Sequence, residues 1–457
     1  MSIIRCKKLE LIYLDKRINV AEDFFIDTNN TSIKTKIDSI KNLKLIKRNE
    51  LIERKQFIYG EDENNKPFTL FDCYVLALNF NYNELEIVWN KMLYGIKTEV
   101  LDDLIIDKMD LIYDNNNSNY RALVGKNTFY IDKHKMLVNS NWYIEQEGTR
   151  EIVKGNILTF NSMVQEKFLT YISNAKMLID IYYFMVGFFP DYYKFILYCN
   201  NNKIHYYQPN DGIQTSKEVY ARYINCIVET DKVDYEKAFE IWKNMYNNQK
   251  NLFHMFMGIQ QKENNQFVEV NTFNYIQCLE SFYTSYYPEY YKFPNEYKTK
   301  LINNIKFMFF KNQKLKRRMK KDIMKINELS KSNYSFDELC NSINGKFNSI
   351  NEISLNQLLN NIFKLPISMT IFEYEYDNKL INLLKTKTYN HRNYIAHMTN
   401  EKMSTFYNKE NNLAQSKFNL LFRCMVLNQL DIEIDNNNII LLLNEINKYY
   451  DNNTLTK

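Results

Sequence analysis

Near the end of the chain, Tyr389-Asn390-His391-Arg392-Asn393-Tyr394-Ile395-Ala396-His397 gathers two of the five His of the sequence and an Arg. Arg, Asn and His together supply a permanent cation, a neutral hydrogen-bonding amide and a group that gains or loses a proton near pH 7. That set suits work on a phosphodiester. At about 100° per residue, Asn393 and His397 stack on one helix face, while Arg392 and His397 differ by about 140°, so the Arg must reach in from the helix start. A helix beginning near Arg392 would also aim free N–H groups at an anion.

The elements that must hold this stretch fall into two halves. From residue 5 to about 160 short strands alternate with turns: Leu9, Leu11 and Tyr13 share a face, and Tyr74–Leu78, Leu85–Trp89, Phe129–Ile131 and Ile157–Phe160 follow. Asp27–Asn30, Gly60–Asn65 and Asp114–Ser118 are the turn clusters between them. Phe168, Tyr171, Ile172, Ala175, Leu178, Ile179 and Tyr182 then repeat at helical spacing, Pro190 interrupts, and Phe195–Tyr198 resumes as a strand. Residues 233–257 are helical, with Trp242 in the apolar stripe and therefore in the core. The polar run Gln260–Gln266 is the hinge. Beyond it Phe273, Ile276, Leu279, Phe282 and Tyr283 mark the first of several helices, and Leu380, Ile381, Leu383 and Leu384 lead into the Arg-His stretch. Leu413, Phe418, Leu421, Phe422, Met425 and Leu430 outline a long helix after it, and 439–449 a last one. The expected architecture is α+β: a β-rich domain over 1–258, a sandwich or open barrel with a few helices, then a bundle of four to six helices over 267–457.

Within the helical half, residues 311–325 form the densest basic run of the chain. Leu315, Met319, Ile323 and Ile326 make one face, and Lys314, Arg317, Arg318, Lys321 and Lys325 another. Such a run is either the solvated side of a helix or a row of phosphate contacts.

The segment Arg392-Asn393-x-x-x-His397, set between apolar helical patterns, closely resembles the signature of HEPN-domain ribonucleases, and the fuller string KTKTYNHRNYIAHM is most similar to the C-terminal HEPN domain of ApeA-type anti-phage defence proteins. A second resemblance lies more than 300 residues away: Tyr59-Gly60, an acidic loop and Lys66-Pro67-Phe68-Thr69-Leu70-Phe71-Asp72-Cys73 look like a hairpin of the ApeA-like N-terminal domain, with Gly60 expected in the turn and Thr69-Leu70 in a strand. Glu280 occupies the place of an acidic residue in the first HEPN helix; it either completes the polar set around Arg392 and His397 or serves as a structural ion-pair partner of Arg392. The resemblance also implies a dimer with two motifs facing across a shared cleft, an RNase held silent until phage infection supplies a trigger, and a structured RNA such as tRNA as target. A symmetric dimer is independently the commonest homo-oligomer.

The chemistry that these residues permit runs through the ribose 2′-hydroxyl, an internal nucleophile that RNA itself holds beside the phosphate. His397 suits proton transfer in either direction, Arg392 a bidentate grip on phosphate oxygens, and Asn393 either orients His397 or touches substrate. Tyr394 either stacks on a base or belongs to the core. The sequence has no His-x-x-x-His, no His-Glu-x-x-His and no Cys-x-x-Cys, so no cofactor or metal is expected. The competing expectation is a non-catalytic helical scaffold in which Arg392 and His397 only stabilise the bundle, and the β-rich half recognises a protein or RNA partner.

Composition agrees with these classes without choosing between them. A 457-residue chain exceeds one ordinary core, and 36 Tyr and 30 Phe supply bulky core material. Only 9 Gly and 6 Pro argue against a Gly- or Pro-rich linker protein. A net charge of +5 permits nucleic-acid binding, and 7 scattered Cys favour a reducing compartment over a disulfide framework. The N-terminus lacks the apolar core of a signal peptide, and the greasiest run, Met177–Phe189, carries Asp180 and is too short to span a bilayer. A cytoplasmic protein without a membrane partner is the expectation.

Overall fold

The computed structural model describes residues 3–13, 16–27, 32–36, 56–79, 84–98, 100–102, 104–114, 127–147, 150–187, 193–200, 202–207, 226–262, 268–287, 311–330, 354–373, 378–397 and 408–452, with isolated positions between 300 and 341. The fold is α+β, as expected. The chain packs as two compact units, 1–266 with 423–457, and 267–422. The sequence expectation ran the helical domain through to residue 457.

The first unit is built on a 13-stranded sheet. Its strands are β1 (Ile3–Tyr13), β2 (Lys16–Asp27), β3 (Ser32–Lys36), β4 (Gln56–Asp62), β5 (Pro67–Asn79), β6 (Glu84–Val88), β7 (Lys91–Tyr94), β8 (Ile105–Asp114), β9 (Thr128–Ile131), β10 (Met136–Glu147), β11 (Arg150–Lys167), β12 (Tyr193–Cys199) and β13 (Asn202–Tyr207). They run in the order β2-β1-β4-β5-β7-β13-β12-β8-β11-β10-β9, with β6 on the second half of β5 and β3 on β6. Each of these pairings is antiparallel. Alternation sorts the faces: Asn156, Leu158 and Phe160 of β11 are buried, while Ile157, Thr159 and Asn161 between them are half-buried.

Helix α1 (Phe168–Val186) packs on β8 and β11, and the seven residues singled out by spacing, Phe168 to Tyr182, are all buried. It ends at Gly187, whose φ of 82° is the left-handed conformation that glycine adopts without strain. Pro190, expected to stop the helix, lies outside the described residues. Helix α2 (Tyr235–Asn248) is started by Asp234, which accepts from the Lys237 amide at 3.0 Å, and α3 (Lys250–Lys262) follows. Trp242 is fully buried, its ring 4.5 Å from Phe253 and 5.0 Å from Phe184, so its core assignment stands.

The C-terminal segment joins this unit through Arg423, in the last third of a long helix spanning Asn408–Gln429. Arg423 is only 4% exposed; its Nε donates to the Phe184 carbonyl at 2.9 Å and its Nη2 to the Met185 carbonyl at 3.0 Å. Those carbonyls belong to the last turn of α1, which has no intrahelical donors left for them. A Cβ on Gly187 would lie 2.3 Å from Arg423 Nη1, so the glycine serves both the cap and the approach of the guanidinium.

The second unit is helical among the described residues: α4 (Val268–Tyr286), α5 (Gln313–Ser330), α6 (Leu355–Phe363), α7 (Pro366–Glu373), α8 (Asn378–His397) and α9 (Asn408–Gln429) as far as Phe422; α10 (Asn436–Asn452) returns to the first unit. No described helix is long and apolar enough to cross a membrane.

The Tyr59–Cys73 hairpin corrects one expectation. Gly60 is not in the turn; it lies in β4, directly paired with Phe68 of β5. The Phe68 ring covers its Cα so closely that a Cβ would sit 1.9 Å from Phe68 Cζ. Asp62 makes the turn instead, accepting from the amides of Asn64 at 2.9 Å and Lys66 at 2.7 Å and from the Tyr94 hydroxyl at 2.6 Å. Gly60→Ala is therefore expected to cost about 1–3 kcal/mol by overpacking the β4–β5 pair, read as a lower urea midpoint.

Candidate functional site

Helix α8 carries the Arg-His stretch and packs against α4, α6 and α7. Its inner face is set by Thr388, 1% exposed, and His391, fully buried. Thr386, Tyr389 and Ala396 face water. From α4, Ile276, Leu279, Phe282 and Tyr283 are buried as their spacing implied, while Phe273, expected in the same stripe, is half-buried and Tyr275 is buried instead. Helix α6 starts on a capping box in which Ser354 Oγ accepts from the Gln357 amide at 3.3 Å, and it buries Leu358, Leu359, Ile362 and Phe363. Helix α9 closes over α4: Gln415 Nε2 donates to Thr272 Oγ1 at 3.0 Å, Asn419 Nδ2 to the Tyr275 hydroxyl at 3.3 Å, and the Phe282 and Phe422 rings meet edge-on at 5.3 Å.

Into this apolar setting α4 and α8 bring one ion pair. Arg392 Nε lies 3.4 Å from Glu280 Oε1, with side chains 26% and 14% exposed. The N–H is not aligned for a good hydrogen bond, and among the described residues neither of these two atoms has a hydrogen-bond partner. The attraction is therefore chiefly Coulombic. Burial pushes the Glu280 carboxyl above its ordinary range, and the Arg392 guanidinium offsets only part of that rise. Sequence reasoning paired these residues across more than a hundred positions, and the structure places them together.

The rest of the set divides. Asn393 and Tyr394 are half-buried in α8, one and two residues past Arg392. His397 is the last residue of α8, one turn after Asn393 on the same face; its side chain lies outside the described residues. The helix does not begin near Arg392. It begins at Asn378, so the amides of the motif lie inside the helix and no free N–H groups are aimed at an anion from this point. No Gly or Pro separates Leu384 from Arg392, so the apolar pattern and the motif run on as one helix. His391 is shielded from solvent. The spacing 388, 391, 392, 395 would have identified Thr388 and His391 as an inward polar face continuous with Arg392. Lys314, Arg317, Arg318, Lys321 and Lys325 are all exposed on α5. No cluster of three or more His, Cys, Asp or Glu among the described residues is placed to hold a metal ion.

The raised Glu280 pKa has a defined sign. Folding favours the protonated carboxyl, so this group's contribution to stability is fully present below the ordinary value of 4.5 and is lost as pH rises through the higher folded value. Glu280→Gln cannot titrate. The stability of the variant relative to the parent is expected to rise across that window and then level off, measured as urea midpoints at a series of pH values. A constant difference at every pH contradicts the assignment.

Compared with known protein families, curated sequences and solved structures, the chain matches none.

Proposed function

We propose that the helical half is a metal-independent endoribonuclease of HEPN type, within an ApeA-like anti-phage protein whose β-rich half senses infection or restrains the nuclease. One observation carries this reading: the last two turns of α8 hold Arg392, Asn393 and His397, and a mostly buried carboxylate from α4 engages Arg392 at its Nε. A guanidinium tethered at Nε keeps its two terminal nitrogens for a phosphate, and the tether limits the rotamers it must give up on binding.

In the proposed reaction the ribose 2′-hydroxyl loses its proton to an imidazole and attacks the adjacent phosphorus. The bond to the 5′-oxygen breaks, that oxygen takes a proton, and a 2′,3′-cyclic phosphate remains. Arg392 stabilises the charge growing on the phosphoryl oxygens. A base and an acid are both needed, so the reading includes a homodimer in which each copy supplies one His397. Asn393 orients His397 or contacts the strand, and Tyr394 stacks on a base. The trigger is phage-derived, a tRNA-like RNA is the target, and the site of action is the cytoplasm.

A second reading is favoured by the same ion pair. Arg392 already has its charge met by Glu280, as in a non-catalytic scaffold whose bundle uses the pair as a structural tie. Incubating the purified protein with total RNA in chelator separates the two. The nuclease reading expects cleavage with 2′,3′-cyclic phosphate ends, little cutting of DNA, and rates about 10²–10⁴-fold lower for Arg392→Ala and His397→Ala with unchanged melting points. No cleavage by the parent protein, together with lower melting points for both variants, establishes the scaffold.

A further inference from the structure

Helix α5 carries seven Lys or Arg against two acidic residues, and it has no aromatic side chain. Asn312 starts it, its Oδ1 accepting from the Leu315 amide at 3.1 Å. The apolar stripe Leu315, Met319 and Ile323 is half-buried, so the helix has an inner side. Lys314, Arg317, Arg318, Lys321 and Lys325 are exposed, and none has an ion-pair partner among the described residues. At 3.6 residues per turn these five fall within an arc of about 100°, spread over about 16 Å of helix axis.

The geometry points to α5 as a straight rail for the sugar-phosphate backbone of single-stranded RNA, gripped without regard to sequence. This deepens the nuclease reading and rests on it. A narrow stripe of cations running along three turns of a helix suits a polyanion whose charges repeat along a line. With no ring on the helix there is no stacking platform, which leaves phosphates as the groups recognised. A flexible strand can follow a straight row, whereas the phosphates of an A-form duplex curve away from it. An anionic membrane fits less well, because a helix lying in the headgroup layer must turn its apolar face outward. Here that face is half-buried at Leu315, Met319 and Ile323, and among the described apolar side chains of α5 Met324 is the one left exposed, at 66%.

The test uses the full chain and a fluorescein-labelled 2′-O-methyl oligoribonucleotide, which lacks the attacking hydroxyl, so that binding is read without cleavage. Neutralising five phosphates of a single strand gives a slope of about −3.5 in log affinity against log salt, or about a hundredfold loss between 50 and 200 mM; the double variant Arg318→Gln/Lys321→Gln is expected to show a slope near −2.1 and about a twentyfold loss. Lys316→Gln/Lys320→Gln, off the row, serves as the control and should move the slope less. A duplex of the same sequence should bind at least tenfold more weakly. The proposal is overturned by an unchanged slope in the on-row variant, an equal change in the control, equal or tighter duplex binding, or a loss confined to phosphatidylserine-containing vesicles. Cleavage of unmodified RNA, followed separately, reports on the nuclease reading: failure there with the salt slopes as expected indicts the active site and leaves the rail in place.

Discussion

Two opposite charges drawn out of water gain less from each other than hydration had given them, unless their geometry is good and their remaining hydrogen bonds are met. The pair between Arg392 and Glu280 meets neither condition fully, with an N–O distance of 3.4 Å and a misaligned N–H. The dominance of burial over attraction at Glu280 says the same from the proton's side. Apolar residues of similar volume at 280 and 392 would by that rule hold α4 to α8 about as well. The fold therefore does not require a cation at position 392, and what the pair adds is a guanidinium held in one orientation.

Each of the two units is held together in its own way. In the helical unit, apolar stripes and one capping box set which face of each helix turns inward. In the sheet unit, the ladder is tied by single carboxylates at strand positions. Asp62 closes the β4–β5 turn, and Asp110 of β8, 5% exposed, accepts from Thr159 of β11 and Tyr198 of β12, both at 2.8 Å. Buried acids of this kind are tolerable because both carboxylate oxygens find donors in place of water.

Periodicity made much of this legible. The inner faces of α1 and α4 and the pairing of Glu280 with Arg392 were readable from three- and four-residue spacing and from the resemblance. What escaped were effects reaching across the chain. Gly60 read as a turn because glycines usually are, whereas its real cause is an aromatic ring on the neighbouring strand, which no local pattern reports. The motif read as a helix start because Arg392 seemed to need one, although Lys385 to Asn390 contain nothing that would end the helix begun at Asn378. Arg423 sat unremarked in an apolar periodic stretch, where a charge signals a buried acceptor some distance away in sequence.

That arginine has a temporal consequence. The residues from Arg423 onward that complete the sheet unit are made after the whole helical unit. Until then the Phe184 carbonyl at the end of α1 lacks the Arg423 donor and the Met185 carbonyl has the Ile227 amide, at 3.0 Å, without the guanidinium, so the nascent sheet unit is unfinished when the motif-bearing segment has already been made. Order of synthesis thus makes the segment that begins at Arg423, and not the N-terminal half alone, the condition for a finished sheet unit.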